Sequence, residues 1–302
     1  MVQRFSITLT QLTYFAECAK TLNMTVASQD LHVAQSAVST AITNLERELG
    51  VSLFIRQHSK GLVLTEAGES LLRDTHLLFG RLTDTIESLR SDQSSVRGSI
   101  TIACFSTLAP FLLPRLLAKL QKDHPELVVE VLEGDYEENL AALRGGRAEL
   151  AINYDLSDAE GIASTVVGEA RPYVVVAEGH PFAARASVAL PELADESLVL
   201  LDLPHSREYF LDILRGAGVK PQVRYRSTSY EAVRSMVGAG LGYTILNQRP
   251  LTDDTYSGGR TVTVEIDGEV PSLRIAITSL EQLKHSARAR VVAGAVRELL
   301  AI

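Results

Sequence analysis

The chain lacks three things: an excess of positive charge, a set of cysteines and any long apolar run. Its 302 residues carry 29 lysines and arginines against 37 aspartates and glutamates, a formal net charge of −8. That balance excludes a body coated in positive charge for nonspecific nucleic-acid binding, yet leaves room for a small DNA-binding module. Two cysteines, Cys18 and Cys104, exclude a disulfide framework and a cysteine-rich zinc site. No apolar run approaches the roughly 20 residues that span a bilayer. Met1 to Ser6 lacks the basic and apolar regions of a secretory signal, so a cytoplasmic protein with no membrane partner is expected. Catalytic signatures are missing as well. There is no Gly-x-Ser-x-Gly elbow, no Walker-type phosphate loop and no His-Glu-x-x-His. Gly238 to Gly242 has the wrong glycine spacing for a dinucleotide fingerprint and follows a helix. No enzyme, metal site or cofactor is expected.

What is present is a globular chain, 46% hydrophobic and 22% charged, long enough for two or three domains. Residues 1–65 form the first. Leu12, Phe15, Ala16 and Ala19 recur at helical spacing between Thr10 and Lys20. A short helix from Thr25 to Leu31 follows, with Asn23 placed to cap it and Val26, Ala27 and Leu31 inward. Gln35 to Leu49 forms a third, with Val38, Ala41 or Ile42, Leu45 and Leu49 inward, and Gly50 ends it. Two helices, a tight turn and a third helix make a helix-turn-helix. The outer face of the third carries Gln35, Ser36, Ser39, Thr40 and Thr43. Short polar side chains let a helix approach DNA and contact bases or phosphates, although such a face also serves as a solvated surface. Two short apolar segments, Val51–Arg56 and Leu62–Leu64, flank a polar turn and suggest a hairpin wing. Arg56 and Lys60 there suit phosphate contact or plain solvation.

Leu12 to Gly68 resembles the N-terminal domain of LysR-type transcriptional regulators. The matching stretches are Leu12-Thr13-Tyr14-Phe15, Leu31 to Ser39, Ile42-Thr43-Asn44-Leu45-Glu46, Leu49 to Phe54 and Leu64-Thr65-Glu66-Ala67-Gly68. The resemblance implies a winged helix-turn-helix whose third helix enters the major groove. It assigns DNA contact to Gln35, Ser36, Ser39 and Thr40, and phosphate contact to Arg56. The chain departs from many members at Ala34, where Ser is common, at Ser36, where Pro is common, and at Thr40, where Arg is common. Loss of a capping Ser costs about 1 kcal/mol unless another group caps the helix, and Thr40 weakens a guanine reading.

Residues 66–95 read as a linker helix. Leu71, Thr75, Leu78, Leu82, Thr85 and Leu89 are spaced 4, 3, 4, 3 and 4, a heptad seam. The pattern alone also fits a helix packed on its own domain. The resemblance favours a dimerising helix and hence an operator with an interrupted inverted repeat. Ser91 to Ser95, with Gly98, marks a break.

Residues 96–302 alternate strand and helix, which predicts parallel βαβ units. The expected strands are 99–103, 127–132, 149–153, 173–177, 198–201, 223–226, 243–246, 261–266 and 273–278, with a last helix over about 280–300. Leu112-Leu113-Pro114-Arg115-Leu116-Leu117, Gly145 to Ile152, Gly179-His180-Pro181-Phe182-Ala183 and Val237 to Tyr243 resemble the effector-binding region of the same family, with Glu149 in place of a familiar Asp. The resemblance implies a periplasmic-binding-protein-like (type 2) α/β effector domain: lobe one at about 96–162 and 268–302, lobe two at about 163–267. A small-molecule effector then sits between the lobes, at strand C-termini and helix N-termini. A homotetramer and an effect on RNA polymerase access come from the resemblance too.

Candidate effector residues are Ser106, Thr107, Asp202, His205 and Ser229. Ser106 and Thr107 precede a helix and suit either an anion or a cap. Asp202 suits a donor or cation on the effector, or caps a turn. His205 offers pH dependence or a structural role. Cys104 lies near the cleft and reads as a redox thiol or as a small buried residue, Cys18 as the latter. The family's peroxide sensors use a cysteine pair in lobe two, where neither cysteine of this chain lies. A solute-binding protein without DNA function is opposed by the first 65 residues. The charge divides as +1 over residues 1–65 and −9 over the rest. Few phosphate contacts per subunit are available, so affinity depends on multimerisation.

Overall fold

The computed structural model describes residues 6–57, 61–90 and 96–300. The expectations about Met1 to Phe5, about Lys60 in the wing tip, about the Leu89 side chain and about the 91–95 break lie outside them. The chain forms two units that divide near residue 94.

In the first unit, α1 (Leu9–Thr21), α2 (Met24–Asp30) and α3 (Gln35–Leu49) precede β1 (Phe54–Gln57), β2 (Gly61–Leu64) and α4 (Glu66–Arg90). Thr8 and Gln11 close a capping box on α1, and Asn23 Oδ1 accepts the Thr25 and Val26 amides to cap α2. Phe15, Cys18, Ala27, Val38, Ile42, Leu45 and Leu53 fill the core. The Phe15 and Phe54 rings meet at 5.5 Å. Two inward assignments shift. Cys18 replaces Ala16 on the buried face of α1, and Val26 is 40% exposed while Ala27 is buried. Small residues leave the apolar phase of a short helix loosely fixed.

The wing is tied down from both sides. Glu46 Oε1 accepts the Leu53 amide at 2.7 Å and the Phe54 amide at 3.3 Å. Leu22, at φ 49°, turns its carbonyl to the Leu62 amide at 2.9 Å. β1 and β2 pair antiparallel, with Arg56 opposite Leu62. Thr65 Oγ1 donates to Ser52 O and accepts the Gly68 amide, which starts α4 against the wing. Along α4, Leu78, Leu82 and Ile86 are exposed.

The second unit holds three sheets, one in the first lobe and two in the second. β3 (Gly98–Phe105), β4 (Leu127–Gly134), β5 (Leu150–Tyr154), β6 (Ile162–Ala170) and a late strand, Leu273–Leu280, form the first in the order β4-β3-β5-late strand-β6. α5 (Ala109–Asp123) and α6 (Tyr136–Arg144) link its strands. The second lobe comprises β7 (Tyr173–Ala177), β8 (Ser187–Val188), β9 (Ser197–Leu201), α7 (Ser206–Gly216), β10 (Gln222–Ser227), α8 (Tyr230–Gly238), β11 (Thr244–Leu246) and β12 (Thr261–Ile266). β9 and β10 run parallel, and β11-β7-β12-β8 form a four-stranded sheet. A Leu198–Tyr243 bridge joins the two sets. The chain then returns through the late strand, β13, to α9 (Ala287–Leu300). No helix among the described residues is long and apolar enough to cross a membrane.

Three expectations about this unit change. β6 was not anticipated, because its residues are mostly exposed and alternate weakly. It pairs with β13 in the first sheet, so the first crossover falls after Ala170, later than the expected end of lobe one at 162. β13 runs antiparallel to β5 and β6, because the chain re-enters the lobe from its neighbour. Finally, residues 281–286 are not helical. Glu149 accepts the Ser286 amide and hydroxyl, and Ser286 Oγ in turn accepts the Ala289 amide, so α9 starts there.

Gly68 of α4 lies against the backbone of Leu53, where an added Cβ would come within 2.2 Å of the Leu53 carbonyl oxygen. Gly68→Ala should destabilise the first unit by about 1–3 kcal/mol. A thermal melt of the full-length protein followed by circular dichroism checks this, and an unchanged first transition would contradict it.

Candidate functional site

α3 presents its polar face outward. Gln35, Ser36 and Thr40 are exposed and Ser39 is half-buried. Its N-cap residue, Ala34, supplies no side-chain acceptor, so the first-turn amides face outward with the positive end of the helix dipole. A shallow polar groove of about 440 Å³ runs between α1 and α3, lined by Thr8, Gln11, Ser36, Thr40 and Asn44 among others. Arg47 donates to Asn44 Oδ1 at 2.7 Å. Asn44 and Gln11 were missed. Asn44 follows Thr40 by one turn on the same face, which the sequence already allows, whereas Gln11 needs the α1–α3 packing. Arg56 is exposed on β1, apart from the helix.

Ser106 and Thr107 lie between β3 and α5. The Ser106 amide donates to Gly134 O at 2.9 Å, fastening the ends of β3 and β4 together. Neither hydroxyl caps α5, whose N-cap is Leu108 without a side-chain bond. Thr107 is buried and donates to Tyr154 Oη at 3.4 Å. Tyr154 in turn donates to Asn247 Oδ1 of the second lobe at 3.2 Å. Beside them, Tyr173 and Tyr230 both donate to the Gln248 carbonyl, and the Phe111 ring packs edge-on to Tyr230 at 5.4 Å. Burial pushes the Tyr154 and Tyr230 phenols well up and that of Tyr173 to about 12, so all three stay neutral hydrogen-bond donors. Asn247 Nδ2 is buried and has no protein partner among the described residues.

The second-lobe candidates divide. Asp202 is engaged within its own lobe, with Arg207 at 3.0 Å on one oxygen and Arg226 at 3.2 Å on the other. Ser229 accepts the Ala232 amide and caps α8, the capping alternative. His205 does not cap α7, and its Nε2 lies 2.9 Å from Glu137 Oε1 of the first lobe. Next to it, Ser206 is buried and its Oγ has no partner among the described residues. α5 and α7 therefore start without side-chain caps, and α7 starts on the buried, unpartnered Ser206 hydroxyl. Thr107, Tyr154 and Asn247 come together in one chain, while Asp202 and Ser229 are occupied elsewhere. The tyrosines and Asn247 escaped notice because they lie far apart in sequence on separate strands. Among the described residues no three His, Cys, Asp or Glu side chains converge as a metal site.

Both thiols are enclosed. Burial, reinforced by Glu133, pushes Cys104 up to about 12, and burial with Glu17 pushes Cys18 up to about 11. A thiol with a raised pKa stays protonated until the pH approaches that value, so neither supplies thiolate at neutral pH. Native protein should react with a thiol-specific reagent at neutral pH at least tenfold more slowly than unfolded protein. Equal rates, read by absorbance of the released chromophore, would contradict the enclosure.

Comparison with known proteins places both halves. Residues 9–69 match the model of the bacterial regulatory helix-turn-helix protein, lysR family, and residues 93–301 match the LysR substrate binding domain. A hydrogen peroxide-inducible genes activator of Pectobacterium carotovorum subsp. carotovorum is 30% identical over 243 residues, 78% of each chain. HinK, a LysR family transcriptional regulator from Pseudomonas aeruginosa, is 33% identical with a TM-score of 0.66, covering 98% of this chain and 99% of its own. A full-length OxyR variant from Pseudomonas aeruginosa shares the fold at a TM-score of 0.81 and 24% identity, over 97% of this chain and 96% of its own.

Proposed function

This chain belongs to the LysR family of DNA-binding transcriptional regulators with an effector-binding domain, and from that premise we propose that it reads a double-stranded operator through α3 and responds to an anionic small molecule held between its lobes. We assign residues 1–65 to DNA binding, 66–95 to the linker and 96–302 to the effector domain, with the first crossover moved to Ala170–Tyr173.

The operator reading rests on the exposed face of Gln35, Ser36, Ser39 and Thr40. Ser and Thr hydroxyls and the Gln amide meet base edges or phosphates, and Arg56 adds a phosphate contact from the wing. The exposed Leu78, Leu82 and Ile86 of α4 suit a second copy of the helix, giving a dimer and an operator with an interrupted inverted repeat. Pairing of dimers into a tetramer would let effector-dependent lobe movement alter DNA bending and RNA polymerase access. A cytoplasmic location follows from this role.

The observation that carries the effector reading is Asn247 Nδ2, buried without a partner among the described residues where Asn247 meets Tyr154 of the other lobe, with Ser206 Oγ likewise buried and unpartnered at the start of α7. Buried side-chain donors without acceptors suit a carboxylate or comparable anion. A peroxide-sensing thiol, suggested by the names of several relatives, is not favoured, since both cysteines are buried and neither lies in the second lobe.

In a gel-shift assay with the DNA upstream of its own coding region, the dimer should prefer that DNA to random sequence at moderate salt. Ser39→Ala should relax sequence preference, and Arg56→Ala should weaken binding to all sequences and lower the salt slope by about one. A uniform loss with Ser39→Ala would contradict base reading. For the effector, a thermal-shift panel of small carboxylates and matched amines should raise the melting temperature only with carboxylates.

A further inference from the structure

The backbone at His205 is strained. It stands at φ 62° and ψ −48°, a conformation that L residues rarely adopt. The Ser206 amide donates to Pro204 O at 2.7 Å, so residues 204–206 close a γ-turn of the rare, costly form. Such a turn persists only where its surroundings over-determine it. Here the flanks are fixed. Upstream, the Asp202 amide is bonded to Ser227 O and its carboxylate to Arg207 and Arg226. Downstream, Ser206 and Phe210 are buried at the start of α7.

The turn aims the imidazole at the other lobe. Nε2 meets Glu137 Oε1 of α6 at 2.9 Å, and the ring packs edge-on to Tyr136 at 5.5 Å and 64°. Tyr136 is itself held, its hydroxyl donating to Ser157 O at 2.6 Å. Neighbouring Glu138 is committed to the Asp135 amide, so Glu137 is the free carboxylate of that turn. The charged groups of His205's own segment, Asp202, Arg207 and Glu208, are paired among themselves and with Arg226 and Arg215. Facing His205 from α6 are Glu137 and Tyr136. The other interlobe contacts described above, Tyr154 with Asn247 and Phe111 with Tyr230, involve no group that titrates near neutrality. A histidine–carboxylate pair is different, because its attraction depends on the proton that an imidazole ordinarily gains or loses near neutral pH.

We propose that Glu137 and His205 form a proton-dependent latch between the lobes, regulating entry to the effector site on which the reading above rests. Protonated His205 holds the lobes together. Deprotonation leaves a weaker neutral contact and lets the lobes part. The partial exposure of both groups limits the effect to about two- to five-fold in the ratio of closed to open forms.

The test uses full-length protein with no effector added. Lys122→Cys in α5 and Lys220→Cys in the second lobe place dyes on two exposed positions, and the two native cysteines are buried. Energy transfer within one chain, diluted with unlabelled chain, is followed from about pH 5.5 to about pH 8.5. The ratio of closed to open forms should fall across this range by the stated factor. Glu137→Gln should abolish the pH profile, and His205→Gly, which accepts the turn without strain, should open the lobes at all pH values while retaining the melting temperature. If His205→Gly fails to fold, Glu137→Gln on the opposite lobe decides alone. A flat profile in the unaltered protein, or an unchanged profile in Glu137→Gln, overturns the latch. Because no effector is present, such a failure leaves the carboxylate panel to judge the effector reading separately.

Discussion

The effector domain depends on one topological constraint. Parallel strands must be joined by crossovers, and each crossover helix begins where a strand ends. β3, β4 and β9 therefore deliver the starts of α5, α6 and α7 beyond strand C-termini, where ends of helices and ends of strands meet. Two crossings of the chain, after Ala170 and after Ile266, then build two lobes from one sequence. Every candidate effector residue lies on a segment following a strand: Ser106 and Thr107 after β3, Asp202 and His205 after β9, Ser229 after β10.

The DNA-binding unit answers a different constraint, that of size. A unit of this length has a small core, so polar side chains must fix what burial leaves loose. Glu46 does this for the wing by accepting two of its amides, and Thr65 does it for the start of α4. α3 is the exception, left without a side-chain cap at Ala34. That absence costs stability. A net charge of only +1 over residues 1–65 fits a module whose affinity is raised by pairing.

Much of the fold was legible in the sequence because periodicity and turn chemistry report local conformation. Asn23 reads as the cap of α2 and caps it, and Gly50 ends α3. Legibility failed where a segment lacked a buried face or where distant groups decided the outcome. β6 is an exposed edge strand, and α9 starts where Glu149, 137 residues upstream, holds Ser286.

The sequence by itself determined most of the elements, the LysR-type resemblance and the short polar face of α3, all encoded within a few helical turns. Tertiary structure alone decided that Asp202 is taken by two arginines, that Ser229 serves as a cap, and that Glu137 faces His205 across 68 positions of chain. Local patterns carry propensity and burial phase, whereas a side chain's partner is set by three-dimensional packing between segments that the sequence does not juxtapose.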